Sequence, residues 1–106
     1  MPCIALWYDA RVRIEPRDLL WDSGNVAHIA WHGVTPQEVE EVCGGSAMAV
    51  PAHRGRLILI GPTDSGRILA VVLEQETRRF FYCVTARPAS RRERREYREH
   101  LEGRMS

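Results

Sequence analysis

The hydrophobic pattern of this 106-residue chain changes its period once, at the dipeptide Gly44-Gly45. Before these glycines, apolar residues recur every three or four positions, which is typical of helices that bury one face. After them, apolar residues form dense runs, which are typical of buried strands. These runs cover residues 47–50, 57–60, 68–73 and 79–85. Because the last three are joined by short polar turns, they predict an antiparallel meander.

Two short helices are predicted before the glycines, and each carries its own capping signal. Asp22 is a preferred N-cap residue for the first helix, and Gly33 is placed to end it. The second helix begins at Thr35, which forms a capping box with Glu38, and Pro36 occupies its first position. Only two or three residues separate the helices, so they are predicted to form a tight helical hairpin.

A third helix is predicted at residues 90–102, where Ser90 and Glu93 form another capping box. Its apolar stripe is thin, because it consists of Tyr97 and Leu101 one turn apart. Its first turns carry five arginines, Arg91, Arg92, Arg94, Arg95 and Arg98. The elements together predict an α+β fold: a small antiparallel sheet of three to four strands, packed with an N-terminal helical hairpin and a C-terminal arginine-rich helix.

The length of the chain predicts a single domain spanning residues 1–106. Residues 1–18 are interpreted as an N-terminal extension, and their apolar runs are compatible with a strand. Three widely spaced cysteines without a CxxC pair favour a reducing compartment over a disulfide framework. Since no secretory signal and no apolar run of membrane-spanning length is found, we expect a cytoplasmic protein without membrane contact.

The net charge of +1 conceals an uneven distribution. Residues 1–50 hold three arginines and seven acids, which gives −4, whereas residues 51–106 hold twelve arginines and seven acids, which gives +5. Guanidinium groups match phosphate oxygens in planar two-point geometry, so this asymmetry favours RNA or another acidic partner. The alternative is a solvated face with local ion pairs.

Two histidines on one predicted helix face provide the first candidate site. His28 and His32 are four residues apart, a spacing that can hold a metal ion, but no third ligand is placed by the sequence. We therefore predict no metal and no cofactor. His32 stands beside Gly33 at the helix end, where an imidazole can act as general base or acid or contact RNA.

Alternation along the last strand predicts a phosphate-binding face. Residues of one parity are assigned to an open face and residues of the other parity to the core. The open set is Arg79, Phe81, Cys83, Thr85 and Arg87, and the core set is Phe80, Tyr82, Val84 and Ala86. Two arginines flanking an aromatic ring suit an RNA backbone and a stacked base. The alternative is that these arginines pair with acids such as Glu74 or with helix-end carbonyls.

Two further residues are accessory candidates. Glu74 lies in the strand ILAVVLE and could orient an arginine or act as a base, with ion pairing as the alternative. Tyr97 could donate a hydrogen bond to a phosphate, but its spacing from Leu101 favours a place in the core.

The segments WDSGNVAHIAWHGVTPQEVEEV, RLILIGPTDSGRILAVV and CVTARPASRRERREY resemble, in this order, the BrnT family of toxins. The resemblance covers roughly residues 19–100. It implies a RelE-like ribonuclease fold and the toxin half of a type II toxin–antitoxin pair. It also implies metal-independent RNA cleavage that inhibits translation, and neutralisation by a cognate DNA-binding antitoxin. A homodimer or a toxin–antitoxin heterotetramer is the expected assembly.

The resemblance also assigns roles to individual residues. His32 matches the histidine of the family's HGV motif, and the family's arginines at the strand ends match Arg67, Arg79 and Arg87; these four are the predicted catalytic residues. Arg91 and Arg92 match the basic helix start, and with Arg95 and Phe81 they are the predicted RNA contacts. Trp31 stands where the family usually has a basic residue, immediately before HGV.

Two main functions remain open from the sequence. The first is a ribonuclease toxin in which the arginines converge beside His32 into one basic site. The second is a catalytically weak or inactive relative that only pairs with an antitoxin or repressor partner. A domain that senses a small phosphorylated ligand is a third possibility, which a tight pocket without an open basic face would favour.

Overall fold

The computed structural model describes residues 14–105, with side chains to residue 103. Five strands and three helices follow one another in the order β1, α1, α2, β2, β3, β4, β5, α3. The helices are α1 (Ser23–Ala30), α2 (Pro36–Gly44) and α3 (Arg91–Met105). The strands are β1 (Leu19–Leu20), β2 (Met48–Pro51), β3 (Arg56–Pro62), β4 (Ile68–Gln75) and β5 (Phe81–Pro88). Short 3-10 turns lie at Pro16–Asp18 and His53–Gly55.

The sheet confirms the α+β prediction but has one strand more than expected. Its order is β1-β5-β4-β3-β2, in which the four strands from β2 to β5 form the antiparallel meander. The fifth strand, β1, pairs with β5 in parallel, with Leu19 opposite Phe81, so the sheet is mixed. A strand of two residues carries no detectable alternation, which is why the sequence did not indicate it. The strand considered for the start of the extension lies outside the described residues.

The helices cover both faces of the sheet. The helical hairpin of α1 and α2 packs on one face, where Ile29, Val39 and Val42 meet Leu69 and Leu73 in the larger core. Two thiols, Cys43 and Cys83, are completely enclosed in this core. Helix α3 lies on the opposite face, where Ala89 and Tyr97 pack against Ile60 and Ala70. Apolar residues of the central strands β3 and β4 are divided between the two clusters: the larger contains Leu57, Leu59, Leu69, Val71 and Leu73, and the smaller contains Ile58, Ile60, Ile68 and Ala70.

The helix boundaries follow the predicted capping residues. Asp22 accepts from the backbone N–H of Asn25 at 2.8 Å, and Thr35 and Glu38 form their capping box. Ser90 and Glu93 do the same for α3. Such signals are local, since each cap satisfies backbone groups of the same turn, so they can be read before the tertiary structure is known.

A β-bulge in β5 overturns the predicted facing of that strand. Val72 lies opposite Thr85 and Leu73 opposite Cys83, so Val84 is an extra residue without a partner. Before the bulge Phe81 and Cys83 face the core, and after it Ala86 does. The predicted alternation is therefore wrong for Phe81 and Cys83, because one inserted residue reverses the parity of the strand.

None of the helices in residues 14–105 is long and apolar enough to cross a lipid bilayer.

Candidate functional site

One end of the sheet gathers segments that are distant in the sequence. Strand β4 begins there and β5 ends there, and the backbone N–H of Ala89 donates to the carbonyl of Ile68 at 2.9 Å. The turn between α1 and α2 reaches the same end, since Arg67 Nη2 donates to the carbonyl oxygen of Gly33 at 2.8 Å. We call this the basic end; Arg67, Arg87, the turn that bears His32 and the start of α3 lie at this end of the sheet.

The turn after α1 presents two ring side chains, Trp31 and His32, to solvent. Helix α1 ends at Ala30, and Gly33 adopts φ +73, a left-handed conformation that favours glycine. Val34 anchors the turn, because it is 2% exposed and its N–H donates to the carbonyl of Ile29. The indole of Trp31 is consequently held outside, with 87% of the residue exposed.

His28 and His32 lie side by side on this exposed surface. Both residues are exposed, their ring centroids are 5.5 Å apart, and their planes meet at 74°. The four-residue spacing on α1 produces this contact, because side chains one helical turn apart project to the same side. The sequence predicts this spacing, but it assigns an acid–base role to His32 alone.

Each of the two predicted catalytic arginines at the basic end has a carboxylate partner. Arg67 Nη1 lies 3.6 Å from Glu38, and Arg87 makes a two-point pair with Glu93 at 2.7 and 2.9 Å. The hydrogen bonds from Arg87, aided by the N–H of Ser90, lower the pKa of Glu93 to about 2. The same pair raises the pKa of Arg87. The two arginine side chains are equally exposed, 39% for Arg67 and 38% for Arg87, but Arg87 is held by two short hydrogen bonds to its carboxylate, whereas the ion pair of Arg67 is longer.

The third predicted catalytic arginine, Arg79, lies elsewhere. It precedes β5, whereas Arg87 is near the end of that strand, so the two are separated by roughly 25 Å at about 3.3 Å per residue. Arg79 pairs with Asp18 at 3.1 Å and stacks on Phe80. Glu74 also lies at this opposite end, across from Tyr82 in the register. The prediction that all the arginines converge beside His32 into one basic site is therefore wrong.

Two other predicted contact residues are structural. Phe81 is 4% exposed within the core, so its ring cannot stack on RNA without unfolding the strand. Tyr97 is 5% exposed, and its hydroxyl donates to the carbonyl of Ser46 at 3.0 Å, which fixes α3 beside the start of β2. The predicted RNA contact of Phe81 and the accessory phosphate contact of Tyr97 are not compatible with these positions.

Helix α3 supplies a one-sided row of arginines. At about 100° per residue, four of them fall within an arc of roughly 100° on the flank beside the buried stripe. These are Arg91, Arg94, Arg95 and Arg98, which we call the arginine stripe; all four residues are exposed. Arg94 donates to the carbonyl of Ala89 at 2.8 Å, and no carboxylate of the described residues forms an ion pair with the stripe. Arg92 lies on another flank and pairs with Glu96.

Comparisons with models of known protein families, with curated proteins and with solved structures each found no match. The resemblance to BrnT toxins therefore stays a prediction, and the site must be judged on its own geometry.

The described residues hold no group of three or more histidine, cysteine, aspartate or glutamate side chains that could bind a metal ion. A cavity of about 100 Å³ lies at the opposite end of the sheet, lined by residues that include Pro51, Leu57 and Phe81. Pockets for drug-sized ligands are larger, on the order of 300 Å³ or more. At the basic end Trp31, His32 and Arg67 are exposed, an arrangement that suits an extended anionic chain.

Proposed function

We propose that this protein is a cytoplasmic ribonuclease toxin that binds and cleaves RNA at the basic end of its sheet. The observation that carries the proposal is the meeting of Arg67 with the turn that bears His32, through the 2.8 Å bond to Gly33. Metal-independent cleavage of RNA needs proton transfer and stabilisation of charge on the phosphate, and an imidazole and a guanidinium can supply them. They come from residues more than thirty positions apart in the sequence.

The arginine stripe supplies the binding surface in this proposal. Its guanidiniums lie along one flank of α3, which starts at the basic end. Because phosphate contacts dominate the affinity of proteins for nucleic acids, a row of arginines that forms no ion pair with the described carboxylates favours RNA over a neutral ligand. Arg91 and Arg95 keep the role given to them from the sequence, and Arg94 and Arg98 join them.

In the proposed reaction Arg67 stabilises the charge that develops on the phosphate, and His32 exchanges a proton with the ribose. Arg87 is a positioning residue, since its pair with Glu93 fixes the capped start of α3. Arg79 has no part in this reaction, because it lies at the opposite end.

The test compares Arg67→Ala with Arg79→Ala, which is a matched control because each change removes one exposed arginine and one carboxylate pair. Purified full-length variants are incubated with a fluorescent single-stranded RNA in the presence of a chelator. We expect Arg67→Ala to slow cleavage by about 10²-fold or more, the usual cost of losing one charge-stabilising donor. Arg79→Ala should cleave at the wild-type rate. Equal rates for both variants would contradict the assignment.

A second candidate is a non-catalytic protein that binds an antitoxin-like partner. It is favoured by the ion pairs that occupy Arg67, Arg79 and Arg87, and by Trp31, whose exposed ring is of the kind that anchors protein interfaces. Induced expression separates the two candidates. Growth arrest with RNA loss supports the toxin, whereas an inert chain that still binds the product of the neighbouring reading frame supports the second candidate.

A further inference from the structure

Cleavage of RNA through its own 2′-hydroxyl needs two proton transfers. One group must accept the proton of the attacking hydroxyl, and another must donate a proton to the departing 5′-oxygen. His32 can perform only one of these at a time. The proposed function is therefore incomplete without a second acid–base group within reach of the same phosphate.

His28 meets this requirement. It is exposed, it lies one helical turn before His32, and the two ring centroids are 5.5 Å apart. Arg67 donates to the carbonyl of Gly33, the residue after His32, so a cation is held at the turn that follows the pair. We propose that His28 and His32 form a proton-transfer pair that cleaves RNA, an inference that rests on the proposed function.

The step is balanced without any further reactant. One imidazole, in its neutral form, accepts the proton of the 2′-hydroxyl while the 2′-oxygen forms a bond to phosphorus. The bond from phosphorus to the 5′-oxygen breaks, and the other histidine, in its imidazolium form, donates a proton to that oxygen. The products are a 2′,3′-cyclic phosphate and a 5′-hydroxyl end, and the pair is left with its protonation exchanged.

Trp31 indicates how a nucleotide would be held at the pair. Its indole is 87% exposed and lies between the two histidines in the sequence, at the end of α1. Aromatic rings that face solvent beside cationic groups stack unpaired bases, whereas bases in a duplex are not accessible to them. The inferred substrate is therefore single-stranded RNA with a base stacked on Trp31.

The experiment measures cleavage of a fluorescent single-stranded RNA by the full-length protein and by His28→Ala, His32→Ala and His53→Ala. His53 is the matched control, since it is an exposed histidine in the 3-10 turn before β3. We expect each change in the pair to slow cleavage by about 10²-fold or more, with RNA affinity retained, and His53→Ala to have no effect. Added imidazole should restore part of the activity of the two slow variants, and the product should carry the cyclic phosphate.

The outcomes separate this inference from the proposed function. If wild-type protein cleaves RNA and both variants of the pair cleave equally well, the inference is overturned and the proposed function stands. If the wild type does not cleave, both are overturned. Loss of cleavage on treatment with a chelator, with recovery on addition of Zn²⁺, would also overturn the pair as a metal-independent centre. An RNA with a 2′-deoxyribose at the cleavage position should resist the wild-type protein.

Discussion

Charged residues differ greatly in their exposure and in the number of contacts that their charges make, and two ion pairs that involve α3 illustrate this. Glu93 is 17% exposed and receives two hydrogen bonds from Arg87 as well as the N–H of Ser90. Glu96 and Arg92 are 43% and 79% exposed and share a single contact at 3.2 Å. Exposed pairs of the second kind contribute little to stability, whereas a partly buried two-point pair contributes measurably.

This contrast leads to a prediction for Glu93→Gln. Glutamine can keep the capping contact with Ser90 but loses the charge beside Arg87, so we expect the free energy of unfolding at pH 7 to fall by about 1–2 kcal/mol. Because the folded-state pKa of Glu93 is lowered from 4.5 to about 2, its stabilisation is complete above pH 4.5. The stabilisation is lost as the pH falls toward 2.

Urea unfolding between pH 7 and pH 2 measures the effect. The difference between wild type and Glu93→Gln should shrink as the pH falls through that interval. Glu96→Gln is the control, and we expect it to change stability by less than about 0.5 kcal/mol at any pH. A pH-independent difference for Glu93→Gln would contradict the electrostatic origin.

The residue scale also shows which contacts the sequence could predict. Capping residues such as Thr35 and Ser90 could be identified because their partners lie three positions away. The carboxylate partners of the site arginines could not, since Glu38 and Arg67 are brought together only by the packing of α2 on the sheet. The sequence suggests Glu74, Glu76 or helix-end carbonyls as partners of these arginines, whereas the fold supplies Glu38, Asp18 and Glu93.

At the scale of elements, two glycines occupy opposite environments. An added Cβ at Gly61 in β3 would lie 2.9 Å from the Cα of Ala47, a distance that backbone atoms cannot tolerate. At Gly103, in the last turns of α3, an added Cβ meets nothing within 4 Å. The first glycine permits the close approach of the segment before β2, and the second only costs helix stability.

We therefore predict opposite effects of one substitution at these two positions. Gly61→Ala should lower the free energy of unfolding by roughly 1–3 kcal/mol, because either Ala47 or the strand must shift. Gly103→Ala should raise it by up to about 1 kcal/mol, because alanine has the higher helix propensity. Thermal unfolding followed by circular dichroism compares the two directly, and stabilisation by Gly61→Ala would show that the strand is not closely packed there.

Whether a segment forms a helix or a strand could be predicted from the sequence where its hydrophobic pattern is long, as in β3, β4 and α3. The bulge at Val84 could not be predicted, because one extra residue leaves no mark in an apolar run. The bulge changes the candidate site, because Phe81 lies in the core and not on the predicted RNA-facing side. The sequence could thus place the strand but not its side chains.

At the scale of the whole molecule, the positive charge of the second half of the chain is divided between the two ends of the sheet. Arg79 lies at one end with Asp18, whereas the arginine stripe begins at the other. The charge count therefore predicts an acidic partner only as a tendency, because the position of a residue in the sequence does not state on which surface it lies. Among the arginines that the structure describes, those of the arginine stripe form a continuous row.

Salt dependence tests whether that row contacts phosphates. We predict that replacing Arg91 and Arg95 together by glutamine reduces the slope of log K against log[salt] by about 1.4 for single-stranded RNA, at about 0.7 per lost contact. Fluorescence anisotropy at several salt concentrations gives the slope. The control is Arg78→Gln with Arg79→Gln, at the opposite end, which should leave the slope unchanged. A reduction of equal size in the control would indicate diffuse attraction without a defined surface.

Because Cys43 and Cys83 are buried, the reactivity of their thiols shows whether the core is closed. Burial raises the pKa of both thiols, that of Cys83 to about 12, so neither forms an appreciable amount of the reactive thiolate while the core is closed. An alkylating reagent can modify them only during moments when the helical hairpin separates from the sheet. The rate at which the two thiols are alkylated would measure how often the hairpin separates from the sheet, and no label would have to be attached to the chain.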